Sequence, residues 1–158
     1  MKNKNMCTLE ELNLQAAMLK SKGDPEGVIR LAEANGLTLR TAERYLMGEE
    51  PTLTTQKELA IGRILLESVD LDLRQSVVLT GILTMVNKAV REEPKLQEAV
   101  ISNKKSLLGC VGHLLRTISE AHNELPDEIA AACGLTMIQD IPERVAMGAI
   151  NEYYLEKI

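Results

Sequence analysis

Few side chains in this chain of 158 residues have a type and spacing that could do chemistry, and the most suggestive are two arginines. Arg40 and Arg44 stand four apart, so a helix carries both on one face. Paired cations on a helix can meet phosphates. With Thr38 and Thr41 at the start of that helix they form a candidate DNA-contacting set: Thr38, Arg40, Thr41 and Arg44. The elements that must position this set are written around it, in residues 29–46. Ala32 is small enough to let two helices approach, Gly36 can turn the chain, and Thr38 can cap the helix that follows. Against DNA contact, Glu43 lies about 60° from Arg40 and about 100° from Arg44 around the helix. Glu33, Glu49 and Glu50 crowd the same module and oppose phosphate binding.

The remaining reactive types point to structure. His113 and His122 are nine apart, roughly 180° out of register on a helix, so they cannot share a metal on one face. The carboxylate pairs Glu49/Glu50, Glu92/Glu93 and Asp127/Glu128 are adjacent in sequence, diverge on a helix and make poor catalytic dyads. Cys7, Cys110 and Cys133 are odd in number and widely spaced, which suggests neither a disulfide framework nor a zinc site. Lys104-Lys105-Ser106 precedes a helix start and could hold an anion, although a solvated cap is the commoner outcome. No nucleophile elbow, phosphate loop or metal motif accompanies these residues. The expectation is therefore a protein that is not an enzyme, with no catalytic residues, metal or cofactor.

Apolar residues make up 45% of the chain, with no Phe or Trp, so the core must be built from Leu, Ile, Val, Ala and Met, which suit helix-on-helix packing. The net charge of −5 argues against a surface that binds nucleic acid throughout. No apolar run approaches the roughly 18 residues of a membrane span, and no apolar segment follows the basic N-terminus, so a cytoplasmic protein is expected. Thr8-Leu-Glu-Glu11 and Thr55-Gln-Lys-Glu58 are capping boxes, and Asp24-Pro25 opens a helix that stops at Ala34-Asn35-Gly36. Glu49-Glu-Pro-Thr-Leu53 breaks the pattern. Beyond it a long apolar helix is expected from about Leu71 to Arg91, central and covered on most sides. Glu93-Pro94 restarts the chain in a short helix, Ser106 caps another, and Ile141-Pro142-Glu begins the last. The predicted fold is all-α, a multi-helix bundle with an N-terminal helix-turn-helix-like module over residues 1–50 and a helical domain over residues 51–158.

Three segments of the second half occur in a suggestive order: residues 86–100 with Glu93-Pro94-Lys95-Leu96, then Lys105-Ser106-Leu107-Leu108-Gly109-Cys110, then Ala149-Ile-Asn-Glu-Tyr-Tyr154-Leu-Glu156. Together they resemble the PcfK-like family of small proteins from bacterial plasmids and other mobile elements. Its pattern is a helix with Asp-Pro-x-Leu, a Lys-Ser-x-x-Gly-Cys helix start and a closing Ala-x-x-Tyr-Tyr helix. The resemblance covers roughly the last seventy residues, more weakly the module from Gly36 to Glu50. Two features depart from it: Glu152 stands where relatives often have a histidine, and Leu125 to Ile141 reads as an insertion.

The family includes an anti-CRISPR group. The resemblance thus implies an accessory protein that inhibits a type II CRISPR effector nuclease by binding it, without turnover. An exposed tyrosine on the last helix can anchor a protein contact, so Lys104, Lys105 and Tyr154 are the candidate partner-binding residues. The alternative is a helix-turn-helix regulator that uses Thr38, Arg40, Thr41 and Arg44 and dimerises across two DNA half-sites.

Overall fold

The structure, a computed structural model, describes residues 7–71, 77–102, 104–123, 126–129 and 142–156, without the side chains of residues 77 and 121–123. The His122 side chain, Cys133 and most of the insertion-like stretch lie outside the described residues. Among those residues the regular structure is helical, and the fold is all-α. The helices are α1 (Leu9–Ser21), α2 (Pro25–Ala34), α3 (Leu39–Met47), α4 (Gln56–Asp70), α5 (Val77–Glu92), α6 (Pro94–Ile101), α7 (Leu107–Asn123) and α8 (Glu143–Leu155).

Local signals start most of them. At α1 the Glu11 amide donates to the Thr8 hydroxyl at 3.2 Å while the Thr8 amide donates to the Glu11 carboxylate at 2.9 Å. The same reciprocal box opens α4 through Thr55 and Glu58. Asp24 accepts from the Gly27 amide at 2.8 Å, with Pro25 at the first position of α2. Thr38 accepts from Thr41 at 3.2 Å, and Ser106 from Gly109 at 3.2 Å. Each cap satisfies amides that have no partner within the helix, worth about 1 kcal/mol.

Two apolar cores result. The first gathers Leu12 and Ala16 of α1, Val28 and Ala32 of α2, Ala42 and Tyr45 of α3, and then Leu53 and Leu59. The second packs Ala60 and Ile64 of α4 against α5 to α8, around Val86, Leu96, Leu107, Leu114 and Ile150. Thus α4 belongs to both cores, changing allegiance between Leu59 and Ala60. The chain crosses residue 50 in a turn that folds straight back. Asn13 holds Thr54 by two bonds, donating to its carbonyl at 3.0 Å and accepting from its amide at 3.1 Å.

A buried arginine ties the cores further. The Arg63 guanidinium, 1% exposed, donates to the Ile101 carbonyl at 3.0 Å and to the Cys7 carbonyl. Burial lowers its pKa, with the neighbouring Cys7 and Glu67 acting in the opposite sense.

The expectation for α5 needs correction. It is not covered on most sides: Ile82, Leu83, Val86, Ala89 and Val90 are buried, while Thr80, Thr84, Lys88 and Arg91 form a solvent stripe. Those polar residues recur at three- and four-residue spacing, the period of one helix face. Leu71 is the C-cap of α4, not the start of α5.

Candidate functional site

The α2–α3 pair is built by close approach. Gly36 has φ +76°, and a Cβ there would lie 2.2 Å from the Gly62 carbonyl oxygen, so the turn rests directly on the backbone of α4. Ala32 is wholly buried beneath it. The inner side of α3 seats Ala42 and Tyr45, and Lys20 of α1 anchors its far end. The Lys20 ammonium donates to the Tyr45 carbonyl at 2.5 Å and stands 4.4 Å from the centre of the Tyr45 ring.

The outer side of α3 faces solvent with Leu39, Arg40, Glu43, Arg44 and Met47. Met47 is 68% exposed and Leu39 49%. Of the four residues expected to meet DNA, Arg40 is exposed with no carboxylate within ion-pair distance among the described residues. Thr38 accepts the Thr41 amide, and the two hydroxyl oxygens are 2.9 Å apart.

Arg44 is already engaged. It donates through Nε to Glu49 at 3.3 Å and through Nη2 to Glu50. The left-handed Gly48, φ +80°, ends α3, and the Glu49 amide turns back to the Arg44 carbonyl at 3.0 Å. That turn carries both carboxylates beside Arg44. Over residues 7–50, five Lys and Arg face eight Asp and Glu.

The three candidate partner-binding residues differ in their surroundings. Lys104 is exposed. Lys105 is half-buried and donates to two carbonyls at the end of α8, Tyr153 and Glu156, the latter at 2.7 Å. A cation there complements the negative end of the helix dipole. Tyr154 is corrected outright. It is 5% exposed within the second core, so it cannot anchor an external partner. Its hydroxyl finds no hydrogen-bond partner among the described residues, and burial pushes the phenol well above its ordinary pKa.

The tyrosine that meets polar groups is Tyr153, missed by the sequence reading. Its hydroxyl accepts from the Ser106 amide at 3.2 Å, in space left by the missing side chain of Gly109. Glu152 lies 3.3 Å from His113. Glu67 of α4 was missed as well. It accepts from the Leu107 amide at 2.6 Å, capping α7 from another helix. Burial pushes its pKa up against the effect of that hydrogen bond. Burial also pushes the Cys110 thiol up to about 12, which disfavours the thiolate. Lys105, Ser106, Gly109, Cys110, Tyr153 and Tyr154 thus form the α7–α8 seam.

No group of acidic, histidine and cysteine residues suited to a metal ion occurs among the described residues, and none of their helices is long and apolar enough to cross a membrane. Compared with known proteins, the chain matches no family model, no curated protein and no solved structure.

Proposed function

We propose that the chain works by binding and not by catalysis, as an accessory protein that presents the outer side of α3 to a protein partner. The observation that carries this reading is the makeup of that surface. Leu39 and Met47 stand in solvent, and Arg44 is neutralised by Glu49 and Glu50. An apolar surface with balanced charge suits a protein better than a phosphate backbone, which rewards unpaired cations. The α7–α8 seam supports the absence of turnover, because Lys105, Glu67 and Cys110 are committed there to capping and packing. The resemblance of the second half to PcfK-like proteins supplies the candidate partner, a type II CRISPR effector nuclease. Occupying its DNA channel or blocking a domain movement would suffice for inhibition.

A second reading, a DNA-binding regulator, is favoured by one observation. Arg40 is exposed and has no ion-pair partner among the described residues, in the first turn of a helix that follows a tight turn, as in groove-reading helices.

One titration separates the two. The protein is added to a guide-loaded type II effector with target DNA, and separately to duplex DNA alone. Loss of cleavage without a shift of free DNA is expected, and Met47→Glu should abolish it. Unimpaired cleavage at excess protein removes the nuclease as partner. A shift of free DNA that fades steeply with salt replaces the first reading with the second.

A further inference from the structure

Helix α1 is apolar on two sides. Its inner side seats Leu12 and Ala16 in the first core, with Leu9 and Leu19 half-buried beside them. Its outer side carries Leu14, 64% exposed, Met18, 50% exposed, and the exposed Ala17. Spacings of three and four residues gather these three on one face. A helix that is apolar on one side rests that side on a core and turns the other to water, whereas a helix apolar all round is ordinarily covered all round. Among the described residues, nothing in the chain covers the outer side of α1.

The charges at the two ends of α1 say what fits there. Glu11 stands in the first turn and Lys22 at the C-cap, both exposed and neither with an ion-pair partner among the described residues. They are eleven residues apart, close to three full turns, so they share one flank of the Leu14–Met18 face. In an antiparallel pair of α1 helices with a two-fold axis at the level of Ala16, Leu14 of one copy meets Met18 of the other, because the two stand equally far from Ala16. Like flanks meet in such a pair. Glu11 lies five residues before Ala16 and Lys22 six after it, so each Glu11 comes within one residue's rise, about 1.5 Å along the axis, of the Lys22 of the other copy. Glu10 falls on the opposite flank, across from Ser21, so no like charges meet. A parallel pair would instead set Glu11 against Glu11 and Lys22 against Lys22. The face is thus complementary to itself in one orientation, through its apolar residues and its charges in the same register.

We propose that the outer side of α1 is covered by α1 of a second copy of the chain, antiparallel, with Leu14 and Met18 across the two-fold axis and two symmetric Glu11–Lys22 pairs at its edges. With 13 residues α1 is about 20 Å long, a short contact, so the dimer is reversible and not obligate. This surface shares no residue with the outer side of α3, does not rest on the reading of α3, and fails or stands separately from it.

The test is sedimentation velocity of the full chain from about 10 μM to about 1 mM, the range in which a contact of this size associates. The mean mass should rise with concentration towards that of a dimer. Leu14→Glu and Met18→Glu should each weaken association by about tenfold or more. Lys22→Glu should weaken it about threefold or more at low salt, with a loss that shrinks as salt rises. Adding Glu11→Lys to Lys22→Glu should restore association, an outcome that damage to the fold alone does not give. Circular dichroism of each variant checks that these exposed substitutions leave the helices intact. Met47→Glu on α3 should leave association as in the parent. A chain that stays monomeric throughout, or α1 variants that associate as the parent does, would overturn the proposal. Association lost in Met47→Glu and kept in Leu14→Glu would overturn it too, and place the contact on α3.

Discussion

The caps of the first three helices are bonds between residues three apart, Thr8 with Glu11, Asp24 with Gly27, Thr38 with Thr41. At the α7–α8 seam, besides the local cap of Ser106 on Gly109, polar bonds join residues forty or more apart: Leu107 with Glu67, Ser106 with Tyr153, Lys105 with Glu156. The first region is assembled from local instructions and then docked onto α4. The second acquires its polar contacts only once three helices have met. Local caps form as soon as a helix does, whereas the long-range bonds of the seam require α7 to meet α4 and α8 first. Substitutions in the two regions should therefore fail in different ways.

The largest effect is expected where the local module docks. Gly36 and Gly48 both have positive φ, but only Gly36 has a neighbour in the way: nothing lies within 4 Å of a Cβ at Gly48. Gly48→Ala should cost about 1 kcal/mol, the price of a left-handed alanine. Gly36→Ala adds overlap with the Gly62 backbone and should cost roughly 3 kcal/mol or more. Denaturant unfolding of both variants makes the comparison, and equal losses would mean that the turn does not bear on α4.

An intermediate effect with a pH signature is expected at the seam. The carboxyl of Glu67 has its pKa raised in the folded chain, chiefly by burial. A raised folded pKa means that the native state binds the proton more readily than the unfolded chain does. The stability this provides is fully present below the ordinary glutamate value of 4.5 and is lost as pH rises through the folded value. The stability of the parent relative to Glu67→Gln should accordingly fall across that interval, measured by thermal unfolding at a series of pH values. A constant difference would place Glu67 in water and remove it as the cap of α7.

The same division explains what could be read from the residues. Thr8, Asp24, Thr38 and Thr55 announce their helices because each cap needs only its own first turn. Ala32 and Gly36 announce a close helix pair, though not that the turn would rest on Gly62, which lies on a separate helix. The stripe Thr80, Thr84, Lys88, Arg91 is present in the sequence of α5, but the many valines and leucines around it obscure a single polar face. In the seam, adjacent Tyr153 and Tyr154 point about 100° apart on a helix, so one should be inward. Which one it is depends on Gly109 and Cys110, some forty residues earlier, and nothing in the local pattern decides it. Lys105 likewise reads as a surface cation until the end of α8 arrives beside it.

The smallest effect on stability, and the sharpest on the contrast between regions, is expected at Glu49 and Glu50. Their pairing with Arg44 is about half exposed, so Glu49→Gln with Glu50→Gln should change stability by less than about 1 kcal/mol. The surface would change far more than the fold, because two negative charges leave the end of α3 and Arg44 is released beside Arg40. At low salt the double variant should bind duplex DNA more tightly than the parent, and adding Arg44→Ala should remove the gain. Lys105→Met, which deletes a cation of the seam, should do the reverse, lowering stability while leaving DNA and nuclease assays as they were for the parent. If the double variant gains nothing on DNA, the carboxylates are not what keeps α3 from phosphates. The apolar pair Leu39 and Met47 would then be the property of α3 that selects a partner.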